Sequence, residues 1–177
     1  MIIWITGLPG SGKTTLAKKI KSILEKKISN NIVILDGDNI RNILPYKISY
    51  SNEDRMKLAL FYSQLALLIE RSNCIVICSF VALFHNVQEH TRTSANDYFE
   101  IFLDPSLDEL VKKNKKGLYY EKSDYMLNQF TKHEYPIKPD LRINTIVNGV
   151  YKDNFAEIKK KLFRKLKISS WLYFNLN

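Results

Sequence analysis

Residues 7–14 read Gly7-Leu8-Pro9-Gly10-Ser11-Gly12-Lys13-Thr14, which satisfies the pattern G-x-x-x-x-G-K-[ST]. The run sits directly after an apolar, β-branched stretch, Ile2-Ile3-Trp4-Ile5-Thr6, and directly before a helical pattern. Glycines at 7, 10 and 12 let the backbone curl so that its N–H groups face an anion, and the positive end of the following helix adds to the same field. A strand, a tight loop and a helix start must therefore meet at one point. Doubly wound α/β sheets provide that meeting point at the carboxyl ends of their strands. In such a loop Lys13 reaches the β and γ phosphates of a nucleoside triphosphate, and the Thr14 hydroxyl ligates Mg²⁺. The glycine order is G-x-x-G-x-G, so the dinucleotide fingerprint G-x-G-x-x-G is not met.

The rest of the chain agrees with that frame. Nearly continuous apolar runs at residues 2–6, 32–36, 75–80, 99–104 and, less clearly, 141–147 read as strands covered on both faces. Residues 14–27, 53–71, 87–95, 107–114 and 155–166 have helical spacing between them. Ser51 with Asp54 and Ser106 with Glu109 form capping-box patterns at two helix starts. Strands alternating with helices predict a parallel sheet with right-handed crossovers. The expectation is a three-layer α/β fold of the P-loop NTPase type, with about five strands flanked by helices. Residues 115–139 break the pattern: they are polar and aromatic, hold Gly117, Pro136 and Pro139, and read as a lid or substrate loop. A basic helix is expected at about residues 154–167.

At 177 residues, with 45% hydrophobic and 25% charged side chains, the chain suits one domain over residues 1–177 and excludes a disordered or disulfide-built protein. Lys and Arg number 27 against 18 Asp and Glu, a net charge of +9 that points to a phosphorylated or polyanionic partner. The lysines of residues 152–167 read as a solvated helix face, so no nucleic-acid partner is expected. The two cysteines, Cys74 and Cys78, lie in an apolar run and suggest a reducing, cytoplasmic setting. The longest apolar stretch, residues 74–84, falls short of the roughly 20 residues that span a bilayer, and no leader is evident, so no membrane association is expected. His85, His90 and His133 stand apart from any metal-ligand spacing and read as surface or loop residues. Asn114-Lys115-Lys116-Gly117 lacks the Asp of a guanine-recognition motif, which argues against a GTPase.

At the end of the second strand the sequence is Leu35-Asp36-Gly37-Asp38-Asn39-Ile40-Arg41. Phosphoryl transfer to a hydroxyl needs Mg²⁺ to neutralise the γ phosphate and a carboxylate to orient or deprotonate the attacking oxygen. Asp36 and Asp38 can divide those tasks, and either can also cap the next helix.

In order, residues 7–15, residues 35–41, Asp54-Arg55, Ser79-Phe80 and Lys116-Gly117-Leu118-Tyr119 resemble the motif series of the adenylylsulfate (APS) kinase family. That series reads G-L-x-G-x-G-K-[ST]-T, L-D-G-D-N-x-R, D-R, S-F-I-S-P and K-G-L-Y, and the likeness covers about residues 2–145. The resemblance implies that ATP donates its γ phosphate to the 3′-hydroxyl of a nucleotide carrying a 5′ mixed anhydride, with Asp38 and Lys13 as catalytic residues. It assigns ATP to Gly7, Leu8, Pro9, Gly10, Ser11, Gly12, Lys13, Thr14 and Thr15, and Mg²⁺ to Thr14 and Asp36. It assigns the small-molecule nucleotide acceptor to Asp36, Asp38, Arg41, Arg55 and Lys116, and it is compatible with a homodimer; Phe80 and Phe130 are candidate base-stacking rings for that acceptor, with a place in the core the equal alternative for each.

The departures from the series fall in acceptor-facing segments. Ala82 replaces a serine, His85 an arginine and Leu58 an asparagine, and Lys113-Asn114 stands where the family has R-D. The family's F-T-G-I-D-x-P-Y-E is reduced to Phe130-Thr131-Lys132-His133-Glu134-Tyr135-Pro136. Residues 83–89 and 98–102 look more like the branch of surface-polysaccharide pathways that includes cytidine diphosphoramidate kinase. Two acceptors therefore stay open, APS and a cytidine nucleotide bearing a phosphoramidate. A nucleotide-binding module that has lost turnover is the reading from a different class, and basic nucleic-acid binding rests on the net charge alone.

Overall fold

In the computed structural model, which describes residues 1–28, 31–113, 119, 133–144 and 155–167, the strands are β1 (Ile2–Gly7), β2 (Ile32–Asp36), β3 (Ile75–Ser79), β4 (Tyr98–Leu103) and β5 (Leu141–Ile143). All pairs are parallel and the spatial order is β2-β3-β1-β4-β5. The helices are α1 (Lys13–Leu24), α2 (Gly37–Ile43), α3 (Asn52–Glu70), α4 (His85–Ser94), α5 (Leu107–Lys113) and α6 (Phe155–Lys165).

Three layers follow from the side-chain parity of the central strand. Ile3 and Ile5 of β1 pack with Leu16, Ala17 and Ile20 of α1 and with Ile158, Leu162 and Phe163 of α6. Ile2 and Trp4 point the opposite way, toward Leu58, Tyr62 and Leu67 of α3 and Val87 of α4. Both faces of β1 are thus dry, which is why its run is apolar without alternation. On α6 the apolar side turns inward and Lys160, Lys161, Arg164 and Lys165 face solvent, as expected of a basic surface helix.

Helix ends show which local signals held. Ser106 and Glu109 form the reciprocal box, Glu109 N–H donating to the Ser106 hydroxyl (3.4 Å) and Ser106 N–H to the Glu109 carboxylate (3.0 Å). Only half of the other box forms: Ser51 accepts from Asp54 N–H, but the Asp54 carboxylate turns to the N–H (3.0 Å) and hydroxyl (2.6 Å) of Ser49. Helix α2 was not among the expected helices. It forms because Asp36 accepts from the N–H groups of Asp38 and Asn39, capping a turn that its glycine makes look like a loop. Of the 141–147 strand only residues 141–143 are described as strand, and residues 145–147 lie outside the described residues.

The sheet's carboxyl edge is where the expected site residues gather. Registers Asp36↔Ser79, Ile5↔Ser79 and Gly7↔Leu103 bring the ends of β2, β3, β1 and β4 level. The Thr6 hydroxyl donates to Val81 carbonyl at 2.7 Å, tying the segment after β3 to the phosphate loop. Both cysteines are free thiols, and burial pushes the Cys78 thiol up. No helix among the described residues is long and apolar enough to cross a membrane.

Candidate active site

The loop of residues 7–12 requires its glycines. Gly7, Gly10 and Gly12 have φ of 148°, 78° and 94°. A Cβ on Gly7 would lie 2.4 Å from the Leu103 carbonyl oxygen, so the loop lies directly against β4. Gly12 caps α1 in the left-handed conformation. The Lys13 ammonium donates to the carbonyls of Gly7 (3.0 Å) and Leu8 (2.8 Å), folded over the loop that it would share with a phosphate chain. Tyr119, from the K-G-L-Y segment, donates its hydroxyl to Pro9 carbonyl at 2.6 Å.

The acidic turn closes on this loop. Thr14 hydroxyl donates to Asp36 Oδ2 at 2.7 Å, while Asp36 Oδ1 accepts from Asp38 N–H (3.1 Å) and Asn39 N–H (3.4 Å). Asp36 therefore caps α2 and holds Thr14 at once, so the two readings of that residue coexist. Because the Thr14 hydrogen goes to the carboxylate, Ser79 is the donor in the 3.3 Å pair between the two hydroxyls. The resulting hard-oxygen cluster of Thr14, Asp36 and Ser79 has the donor chemistry that Mg²⁺ takes alongside phosphates. Among the described residues no group of three or more His, Cys, Asp or Glu could hold a metal without such a ligand.

Asp38 lines a pocket of about 340 Å³ that runs from the phosphate loop to α3. Lys13, Asp36, Asp38, Arg41, Arg55 and Ser79 form its polar wall, and Tyr50, Leu58, Tyr62, Ala82 and Phe84 are among its apolar lining. Arg41 donates to Ile48 carbonyl at 2.9 Å and lies 4.9 Å from the Tyr50 ring centre. Arg55, 8% exposed, lies 5.2 Å from the Phe84 ring centre and donates to His133 Nδ1 at 2.9 Å. Each guanidinium is thus braced by an aromatic ring from a neighbouring turn. The Tyr62 hydroxyl donates to Gly37 carbonyl at 3.0 Å, and burial, with Asp38 and Asp36 adding to it against Arg41, pushes it up to about 12. It stays a donor and fixes the glycine between the two carboxylates.

The structure brings Lys13, Thr14, Asp36, Asp38, Arg41 and Arg55 together as the sequence suggested. Phe80 is corrected: it is 1% exposed, stacked on Tyr62 at 4.1 Å and edge-on to Trp4 at 5.2 Å. It belongs to the core beneath the pocket and offers no face to a nucleotide base. Lys116 and Phe130 lie outside the described residues. His85 sits away from the pocket, at the exposed start of α4. His133 departs from the surface expectation: it is half-buried against Arg55, and burial with the Arg55 and Lys13 charges lowers it to about 4. Tyr50 and Phe84 went unnoticed in the sequence, although each stands beside a helix start, Tyr50 before the Ser51 cap and Phe84 as the cap of α4. His133 gave no signal, because its partner is 78 residues away.

Comparison with known proteins places this geometry. The model of the adenylylsulphate kinase family matches residues 1–144. A probable adenylyl-sulfate kinase of Aeropyrum pernix is 32% identical over 85% of this chain and 86% of its own length. Cytidine diphosphoramidate kinase of Campylobacter jejuni is 28% identical over 94% of this chain and 96% of its own. The bifunctional enzyme NodQ of Azospirillum brasilense is 33% identical over 93% of this chain, which spans only 27% of that protein. Among solved structures, the Mycobacterium tuberculosis APS kinase CysC in complex with AMPPNP and APS superposes with a TM-score of 0.72 at 24% identity, covering 95% or so of both chains (94% and 96%), and so shares the fold. With its own family model matched over most of its length, this chain belongs to the adenylylsulphate kinase family.

Proposed function

We propose that residues 1–177 form one kinase domain that moves the γ-phosphoryl group of ATP to the 3′-hydroxyl of a nucleotide with a modified 5′ phosphate. The observation that carries this reading is the 2.7 Å bond from Thr14 to Asp36, with Asp38 on the same turn lining a pocket that Arg41 and Arg55 also line. Donor and acceptor machinery then meet along one edge of the sheet.

In this reading the phosphate loop takes the ATP phosphates, and Lys13 leaves its loop carbonyls for the β and γ oxygens. Mg²⁺, held on the Thr14 and Asp36 side, supplies charge neutralisation of the transferred group. Asp38 accepts the proton of the attacking 3′-hydroxyl as the new O–P bond forms and ADP departs. Ala82 offers no hydroxyl for a phosphoserine intermediate, which leaves direct transfer. Arg41 and Arg55 bind the acceptor's anionic 5′ group, and Tyr50 offers a ring to its base. The expected lid at residues 115–139, of which only residues 119 and 133–139 are among those described, would close over the acceptor and exclude water.

APS is the acceptor we place first. A cytidine diphosphoramidate is the second, supported by the end-to-end match to the Campylobacter jejuni enzyme and by Leu58 and Ala82 in the pocket wall. We place the protein in the cytoplasm, where ATP and reduced thiols are available, and expect a homodimer.

The test is incubation with Mg²⁺-ATP and each acceptor in turn, following ADP release and the phosphorus NMR spectrum. A new 3′-phosphate on either compound supports the reading and selects the acceptor. Asp38→Ala should abolish turnover with the fold intact; undiminished activity in that variant would remove Asp38 from its role. Tight nucleotide binding without transfer to any acceptor would favour a binding module.

A further inference from the structure

We propose that Tyr62 is a positioning residue for the transfer step: its ring and hydroxyl fix the peptide between Asp36 and Asp38, and with it the spacing of the two carboxylates. The transfer step rests on the kinase reading; the anchoring of the turn by Tyr62 does not.

Three buried rings form a column that ends at the acidic turn. Trp4 of β1 meets Phe80 edge-on at 5.2 Å, and Phe80 stacks on Tyr62 of α3 at 4.1 Å with 8° between the ring planes. Tyr62 is thus held from the central strand outward, and its hydroxyl has little freedom to wander. That hydroxyl donates to Gly37 carbonyl at 3.0 Å. Gly37 itself lies against the column. A Cβ built there would stand 3.4 Å from the Tyr62 hydroxyl oxygen, 3.4 Å from the Phe80 ring and 3.5 Å from Ser79 carbonyl. Helix α3 and the end of β3 therefore meet the turn at the residue that separates the two carboxylates.

Asp36 cannot supply that constraint alone. Its Oδ2 accepts from Thr14, the residue that the kinase reading gives to Mg²⁺, and its Oδ1 is shared between Asp38 N–H at 3.1 Å and Asn39 N–H at 3.4 Å. The bond from Tyr62 to Gly37 involves neither carboxylate, so it holds the turn whatever Asp36 binds. A base that takes a proton must stand within hydrogen-bond reach of the attacking oxygen, and a displacement of about 1 Å is costly. Tyr62 also lines the pocket, so a direct contact with the acceptor is the alternative. Its one hydroxyl hydrogen is spent on Gly37, and burial, pushing the group up to about 12, keeps it uncharged. Only lone pairs are left, and a phosphate or sulfate ester has no hydrogen to give them. The hydroxyl therefore acts on the turn.

The experiment compares Tyr62→Phe and Tyr62→Leu with wild type by steady-state kinetics, with thermal melting as the check on folding. Tyr62→Phe keeps the stacked ring and removes one hydroxyl. It should lower kcat about tenfold, with the KM for ATP and for the acceptor within about twofold of wild type, because the loss falls on the transition state and not on binding. Tyr62→Leu removes the stack as well, and should lower both kcat and the melting temperature. Wild-type kcat in Tyr62→Phe, with loss only in Tyr62→Leu, would make Tyr62 a core ring and overturn the proposal. A higher acceptor KM at unchanged kcat would make the hydroxyl a direct contact and overturn it as well. Amide hydrogen exchange in the ligand-free protein is the second readout. The N–H groups of Asp38 and Asn39, which Asp36 holds, should exchange about fivefold faster in Tyr62→Phe, while the amides of β1 and β3 keep their rates. If wild type phosphorylates neither acceptor, the kinase reading fails by itself and exchange decides the anchor. Faster exchange at Asp38 and Asn39 sustains it, and unchanged rates overturn it.

Discussion

Replacing His133 should remove a measurable slope from the pH dependence of stability. In the folded protein burial, Arg55 and Lys13 bring His133 down from 6.5 to about 4. Between those values the unfolded chain binds a proton that the folded one does not, so stability is present above pH 6.5 and is lost as pH falls toward 4. At about 1.4 kcal/mol per pH unit, the fall from pH 6.5 to pH 5 is worth about 2 kcal/mol at most, and screening of a partly exposed ring reduces that to about 1–2 kcal/mol. Glu100 acts in the opposite direction. Burial, opposed by Arg92 at 2.8 Å, raises its carboxyl, so the folded state retains a proton there that the unfolded state releases, and stability falls as pH rises through that window. A difference between two proteins cancels the Glu100 contribution. Urea unfolding of wild type and His133→Asn at pH 5, 6 and 7, with m-values held equal, should show the wild-type advantage growing by about 1–2 kcal/mol from pH 5 to pH 7. Parallel curves would mean that His133 titrates alike in both states, and the neutral imidazole on Arg55 would have to be abandoned.

Gly7→Ala should cost more than about 2 kcal/mol, because its Cβ would meet the Leu103 carbonyl at 2.4 Å on a backbone with φ of 148°; thermal melting and ATP titration would check it, and a variant that melts and binds like wild type would refute the close approach. Trp4 Nε1 is buried with no hydrogen-bond partner among the described residues, so Trp4→Phe should cost about 1 kcal/mol, against about 3–5 kcal/mol for Trp4→Ala, in denaturant unfolding. Tyr50→Leu should raise the acceptor KM at least about fivefold while leaving the KM for ATP unchanged, if Tyr50 stacks on the base with the 1–3 kcal/mol usual for such contacts; an equal rise in both constants would argue against stacking.

What could be read from the sequence was what is local. The phosphate loop and the acidic turn each lie within eight residues, and their chemistry follows from spacing. The three layers were legible because β1, β3 and β4 are mostly apolar and buried at every position, on both faces. Phe80 was legible in principle: strand parity puts Val76, Cys78 and Phe80 on the α3 side of the sheet and Ile75 and Ile77 on the other, which makes Phe80 a core ring. Helix α2 was hidden because Asp36-Gly37 reads as a turn until the cap it forms is seen.

The acceptor pocket was harder to read because chain distance separates its parts. Arg41 comes from α2, Arg55 and Leu58 from α3, Ala82 and Phe84 from the segment after β3, and His133 from beyond β4. None of these pairs has a spacing that a motif could record. The same separation explains where the sequence departs from its family. Thr14, Asp36 and Ser79 are bonded to one another and set by strand register, so a change in any one disturbs all three and the edge of the sheet with them. Leu58 and Ala82 line the pocket and also pack in the core layer on the α3 side with Tyr62, Ala66, Leu67 and Phe80, apart from the hydrogen-bonded set at the phosphate end. We expect substitution there to change what the pocket accepts while the phosphate end is left intact, which would let one transfer chemistry serve more than one acceptor.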